Sequence, residues 1–191
     1  MNTIEAIYQR RSIRKFNTDK VPRELIEKIL EAATQAPSAM NKQPWRFVVL
    51  EGAKKDELIS IFQKKVEKLA RLKNNIGYAR VTAEHMKQAP ALILVFNAES
   101  KAKGLFKVFS SVMDVLYIQS IGGAIQTMLL AAQELGLGTL WMGHIFYAVK
   151  EIGKYVDKNE ELIAAVSVGY ADETPQARPR RNWREITEWL E

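Results

Sequence analysis

The sequence predicts a single α+β layered domain in which helices pack on a sheet of about four or five strands. Three observations carry this. Residues Ala91 to Phe96 read ALILVF, an unbroken apolar run of strand length, as a strand covered on both faces requires. Segments on either side of it repeat their apolar residues at helical spacing. The 191 residues suffice to bury a sizeable core, and no internal repeat or linker divides them.

Taken in order, Thr3 to Gln9 is predicted as a short helix with Thr3 as N-cap and Ile4 and Ile7 turned inward. A cationic turn, RRSIRKF, occupies residues 10–16. Pro22 opens a second helix to about Gln35, where Leu25, Ile26, Ile29, Leu30 and Ala33 share a face, and Pro37 stops it. APSAMNKQPW is a polar loop, and Trp45 to Leu50 (WRFVVL) is a strand by its β-branched and aromatic content. Residues 53–88 are helical and charged, with a break around Asn74 to Gly77. After ALILVF, a loop over 97–107 carries Lys101, Lys103 and Gly104. A long helix runs from Phe109 to Leu135 and is ended by Gly136 and Gly138. Leu140 to Met142 is a third strand and Ala164 to Gly169 a fourth, and the tail from Tyr170 is loop with a short closing helix.

The long helix is apolar nearly all round, so it must be covered on every side. At 1.5 Å per residue it is about 40 Å long, more than a chain of this size readily wraps. Gly122 and Gly123 clear space for another backbone, and a homodimer with this helix at its interface is the economical expectation. Val115 to Gln133 is uncharged and long enough to span a bilayer. Gln119, Ser120, Gln126, Thr127 and Gln133 would be poorly satisfied in lipid, which favours a buried helix and no membrane. The start, MNTIEAIYQRR, lacks the apolar centre of a signal peptide, so a cytoplasmic protein is expected.

Much chemistry is excluded by composition. There is no cysteine, which removes disulfides, thiolate metal sites and cysteine nucleophiles. The two histidines, His85 and His144, have no metal-ligand spacing, and there is no GxSxG elbow, GxGxxG or GxxxxGK[ST] motif. Hydrolysis by side chains is poorly supplied, and a cofactor performing the hard step fits better. The net charge of +6 invites nucleic acid, but the cations are scattered and no nucleic-acid signature accompanies them, so none is expected as partner.

The cationic turn is more specific. Arg10, Ser12 and Arg14 alternate, so an extended backbone points all three to one side. Two guanidinium forks and a hydroxyl suit a phosphate, and a second alternating pair, Arg178 and Arg180, stands near the end of the chain. The two clusters are candidates to converge on one phosphate, against the alternative of a solvated basic face.

Four segments in order then resemble the FMN-dependent nitroreductase family: RRSIRKF, APSAMNKQPWRFVVL, LLAAQELGLGTLWMG and GYADETPQARPRRNW. The likeness covers nearly the whole chain and implies a nitroreductase-like fold with a central, mostly antiparallel sheet and a homodimer with FMN at the subunit interface. It implies that Arg10, Ser12 and Arg14 hold the phosphate, ribityl chain and pyrimidine edge, that Arg11 adds backbone or charge, and that Arg178 and Arg180 complete the phosphate site. Pro37, Ser38, Ala39 and Asn41 would come from the partner subunit. Trp141, Met142, Gly143 and His144 would run along the ring, with the N–H of Gly143 or His144 near flavin N5. No side-chain acid or base is then needed for the first hydride step; Trp45 is read as core and His144 as structural. The segment over 63–88, with Asn74, Asn75, Thr82, His85 and Lys87, would cap the site.

The implied activity is NAD(P)H oxidation with reduction of a small-molecule acceptor, a nitroaromatic or quinone, in ping-pong fashion. Alternatives within the same fold are reductive dehalogenation, flavin breakdown or heterocycle dehydrogenation. From another class, a flavin-binding or basic nucleic-acid-binding protein without turnover remains open.

Overall fold

A computed structural model describes residues 2–72, 76–101 and 112–190. The first helix, α1 (Thr3–Gln9), is capped by Asn2 rather than Thr3: the Asn2 side chain accepts from Glu5 N, and Glu5 reaches back to Asn2 N. Its inward residue is Ala6; Ile4 and Ile7 are 61% and 48% exposed, opposite to the expectation from sequence. The short helix presents only a small residue to the rest of its own chain, and its large apolar side chains face out.

Helix α2 (Arg23–Thr34) starts after Pro22 and buries Ile26, Ile29 and Ala33. Strand β1 (Trp45–Glu51) follows the polar loop, and Trp45 is buried at its start. Arg46 is half-exposed and pairs with Glu160 at 2.9 Å. The charged helical region divides into α3 (Gly52–Ala70) and α4 (Gly77–Gln88); Asn74 and Asn75 lie outside the described residues.

Strand β2 (Ala91–Lys101) extends five residues past ALILVF, so 97–101 is strand rather than loop. Pairing with β1 and β4 on its two sides carries it on. Residues 102–111, with the expected Lys103, Gly104 and Phe109, lie outside the description. Helix α5 (Val112–Glu134) ends before Gly136, whose φ of +74° is the left-handed conformation a helix-ending glycine supplies. Gly138 does not end the helix but opens β3 (Gly138–Met142). Sequence reasoning missed the 3₁₀ turn His144–Ala148 and helix α6 (Val149–Tyr155). Strand β4 (Glu160–Gly169) begins four residues before the expected start, and the closing helix is one 3₁₀ turn, Trp183–Ile186.

The sheet order is β1-β2-β4-β3, and every neighbouring pair is antiparallel. Alternation along β2 sorts its side chains into two cores. Ala91, Ile93 and Val95 pack with Ala164 and Val166 of β4 beneath α2 and α5. Leu92, Leu94 and Phe96 pack with Leu140 and Met142 beneath α3, α4 and α6. Both faces are covered, which is why the strand reads as an apolar run instead of alternating.

Helix α5 is long and apolar enough to cross a membrane, yet Ile121, Ala124, Ile125, Met128, Leu129 and Ala132 are buried against α2 and the sheet. It is the core helix of this fold. Along another stripe, Val112 and Val115 are exposed, and a Cβ built on Gly122 meets nothing within 4 Å.

Candidate functional site

The site is built where β3 begins and β4 ends. Gly138 and Gly169 are paired across these strands. A Cβ on Gly138 would stand 2.8 Å from Ile13 Cγ1, and one on Gly169 would stand 2.5 Å from Pro90 Cδ and 2.9 Å from Phe16 Cδ1. These bare positions seat Ile13 and Phe16, which form a small buried cluster with Ala89. Ile13 N donates to Thr139 O at 2.9 Å, and Asn17 N donates to Tyr170 O at 3.0 Å. The cationic segment is thereby held as an extended edge over the sheet end. Ile13 faces in, while Ser12 and Arg14 on either side of it stay half-buried, as the alternation expected from sequence requires.

The C-terminal segment is joined to it. Asp172 N donates to Lys15 O at 2.9 Å, and the Glu173 carboxylate accepts from the backbone N–H of both Arg14 and Lys15. The two basic clusters therefore meet. Burial holds the Arg10 guanidinium below its ordinary pKa, and the positive charges of Arg180 and Arg11 push it further the same way. Among the described residues no carboxylate is paired with Arg10 or Arg180. Arg180 Nη1 donates to the carbonyls of Arg178 and Pro179 at 3.1 and 3.3 Å, while the Arg178 side chain is exposed. Arg11 donates to Tyr8 O at 2.7 Å and Arg10 O at 2.9 Å, so its side chain caps the end of α1.

At the far end of β3, Met142 is buried and Trp141 exposed, and beyond it Gly143 and His144 are exposed. Helix α4 lies alongside. Its Tyr78, Thr82 and His85 recur at the i, i+4, i+7 spacing of one helix face. Thr82 Oγ1 lies 3.1 Å from His144 Nδ1. His85 is held toward its neutral form by burial first and then by Arg14, against the opposing charges of Glu173 and Glu84. Lys55 of α3 is buried and donates to Ala89 O and Lys87 O, which anchors the end of α4. Of the capping candidates, Thr82 meets His144, and His85 feels the charges of Arg14 and Glu173. Glu173 and Tyr78 carried no signal in the sequence, because their partners are remote or nonspecific.

The loop with Pro37, Ser38, Ala39 and Asn41 belongs to another edge within one protomer. Ala39 N donates to Ser120 Oγ of α5 at 3.1 Å, and Gln43 N donates to Ser38 Oγ at 3.0 Å. Met40, Asn41 and Gln43 all take positive φ, near +50°, a conformation rare for residues other than glycine.

Segments from both ends of the chain, each carrying arginines, are thus joined at one end of the sheet. The model of the Nitroreductase family matches residues 7–170, and the chain belongs to that family. It is 32% identical over 182 residues to an NADH dehydrogenase/NAD(P)H nitroreductase of Methanothermobacter thermautotrophicus, covering 93% of this chain and 82% of that one. It is 31% identical over 182 residues to the iodotyrosine deiodinase of Thermotoga neapolitana, covering 90% of each. The crystal structure of a nitroreductase in complex with FMN from Desulfovibrio desulfuricans superposes with a TM-score of 0.76 at 27% identity, over 100% of this chain and 98% of that one.

Proposed function

We propose that this protein is an FMN-dependent oxidoreductase that takes hydride from NADH or NADPH and reduces a small organic acceptor, with nitroaromatics and quinones as the acceptor class. The observation that carries the reading is that Asp172 and Glu173 fasten the C-terminal segment to the cationic turn, so that the charge of Arg180 acts on Arg10 while neither arginine is ion-paired with a carboxylate among the described residues. Two guanidinium groups that repel each other gain most from a dianion, and the FMN phosphate is one. The donor set therefore fits the cofactor. Relatives named NAD(P)H nitroreductase, and the FMN complex of a structural relative, support the same reading.

FMN, when bound, supplies the hydride-transfer chemistry. Arg10 and Arg180 hold its phosphate, with Ser12 as a neutral donor, and Arg14 lies at the pyrimidine edge, where positive charge favours the reduced cofactor. The Trp141–His144 turn borders the ring, offering the backbone N–H of Gly143 or His144. Arg178 contributes from the exposed side of the same segment. Pro37, Ser38, Ala39 and Asn41 close the site from a partner subunit. The dimer is supported by apolar surface that one protomer leaves open: Ile4, Ile7, Tyr8, Val112, Trp183, Ile186 and Trp189 are all exposed.

A second reading, reductive dehalogenation, is supported by the deiodinase likeness and needs the same cofactor. The experiment is to purify the protein, measure its flavin content, and follow visible absorbance on anaerobic addition of NADH or NADPH. The expected result is about one FMN per chain with absorbance that bleaches; nitroaromatic, quinone and halophenol acceptors then separate the two reactions. The Arg10→Ala/Arg180→Ala double variant should fold and purify without FMN. Full flavin occupancy in that variant would overturn the phosphate assignment.

A further inference from the structure

We propose that His144 is the proton donor to the acceptor, held ready for that step by Thr82; this rests on the FMN reading above. Thr82 Oγ1 is 3.0 Å from the carbonyl of Tyr78, one turn earlier in α4, and 3.1 Å from His144 Nδ1. A carbonyl only accepts, and the hydroxyl has one proton, so Thr82 donates to Tyr78 and accepts from His144. The tautomer assigned from this network carries its proton on Nδ1. Thr82 is 5% exposed, which leaves little room for water to compete. The imidazole also lies parallel to two tyrosine rings, Tyr78 at 6.2 Å and 7° and Tyr147 at 6.3 Å and 5° between planes.

The consequence concerns Nε2. Neutral imidazole and imidazolium both keep the Nδ1–H bond to Thr82, so gaining or losing a proton changes Nε2 alone and needs no ring rotation. His144 is exposed, so Nε2 exchanges protons with solvent, and it follows directly on the Trp141–Gly143 turn. The titratable groups against it are the Tyr78 and Tyr147 phenols; one turn along α4, His85 is held toward its neutral form. From α3 and α6, which pack on the same turn, Lys65 and Glu151 are paired at 2.7 Å.

The step balances for a quinone. The acceptor takes an electron pair and one hydrogen as hydride from the bound cofactor's chemistry. The carbonyl oxygen left anionic takes the Nε2 proton: N–H breaks, O–H forms, and imidazolium becomes neutral imidazole. Water then restores the proton. Oxidation of NAD(P)H needs no such donor, so the two half-reactions are expected to differ in their dependence on His144.

The test has two arms. With only two histidines in the chain, ¹⁵N-histidine NMR resolves each ring. His144 should show the Nδ1–H tautomer when neutral, and Thr82→Val should convert it to a mixture. In stopped flow, reoxidation of His144→Gln by a benzoquinone should fall about 100-fold and lose its pH dependence, a larger loss than that of its bleaching by NADH. Thr82→Val should lie between. An Nε2–H tautomer in the wild type, or His144→Gln reoxidised at the wild-type rate across pH, overturns this proposal alone. A protein that takes up no FMN overturns the functional reading and this proposal together.

Discussion

Substituting Gly138 by alanine tests how the cationic segment is held. The new Cβ would lie 2.8 Å from Ile13 Cγ1 and 3.0 Å from Ile13 Cβ, about 1 Å inside ordinary carbon–carbon contact. Because Ile13 Cβ itself is too close, a rotamer change cannot relieve the clash, and the backbone over 12–14 must move. Overpacking of this kind costs about 1–3 kcal/mol, and replacing a strand glycine returns about 0.5–1 kcal/mol. The net loss of up to about 2.5 kcal/mol lowers Tm by up to roughly 10 °C in a chain of this size. The larger effect falls on the ligand. A shift that breaks one charge-assisted hydrogen bond from Arg10, Ser12 or Arg14 costs about 1.5–3 kcal/mol, or about 10- to 100-fold in FMN affinity. Thermal melts and FMN titration by fluorescence quenching measure both. If Gly138→Ala melts like wild type and binds FMN equally well, the seating of Ile13 is not what positions the arginines.

Two further outcomes test other contacts. Gly122→Phe should leave each protomer folded by circular dichroism while light scattering shows a monomer with little FMN; a flavin-loaded dimer would place the interface elsewhere. Tyr155 donates to Glu57 at 2.6 Å, and this bond, ahead of burial and charge, pushes its phenol up to about 12. The folded pKa is raised, so the bond's contribution is complete below the ordinary value of about 10 and disappears as pH climbs toward 12. Ultraviolet titration should find one of the six tyrosines late, and Glu57→Gln should return it to the ordinary range; no late tyrosine would refute the bond.

Local physics explains which parts of the fold were legible in the sequence. ALILVF announced a strand covered on both faces, and Gly136 and Pro22 punctuated helices, because each signal acts on its own neighbourhood. The misreadings were those that pairing decides. Residues 97–101 and 160–161 are polar enough to read as loop and become strand only through partners on β1, β2 and β4. Ile4 and Ile7 look inward by spacing, yet a helix has an inside only relative to what covers it.

The same division holds at the site. By itself, the sequence determined the donor chemistry: Arg10, Ser12 and Arg14 on one side of an extended segment, and a second arginine pair near the chain's end. A hydroxyl or a guanidinium fork is a property of the side chain, so its presence can be read in one dimension. Only the tertiary structure decided that Arg180 comes to Arg10, that Glu173 fastens the two segments, and that Thr82 fixes the His144 ring. Those contacts join residues 62 to 170 positions apart, and no local propensity encodes them; the first two follow from two glycines at the end of a sheet that leave room for Ile13 and Phe16 to settle.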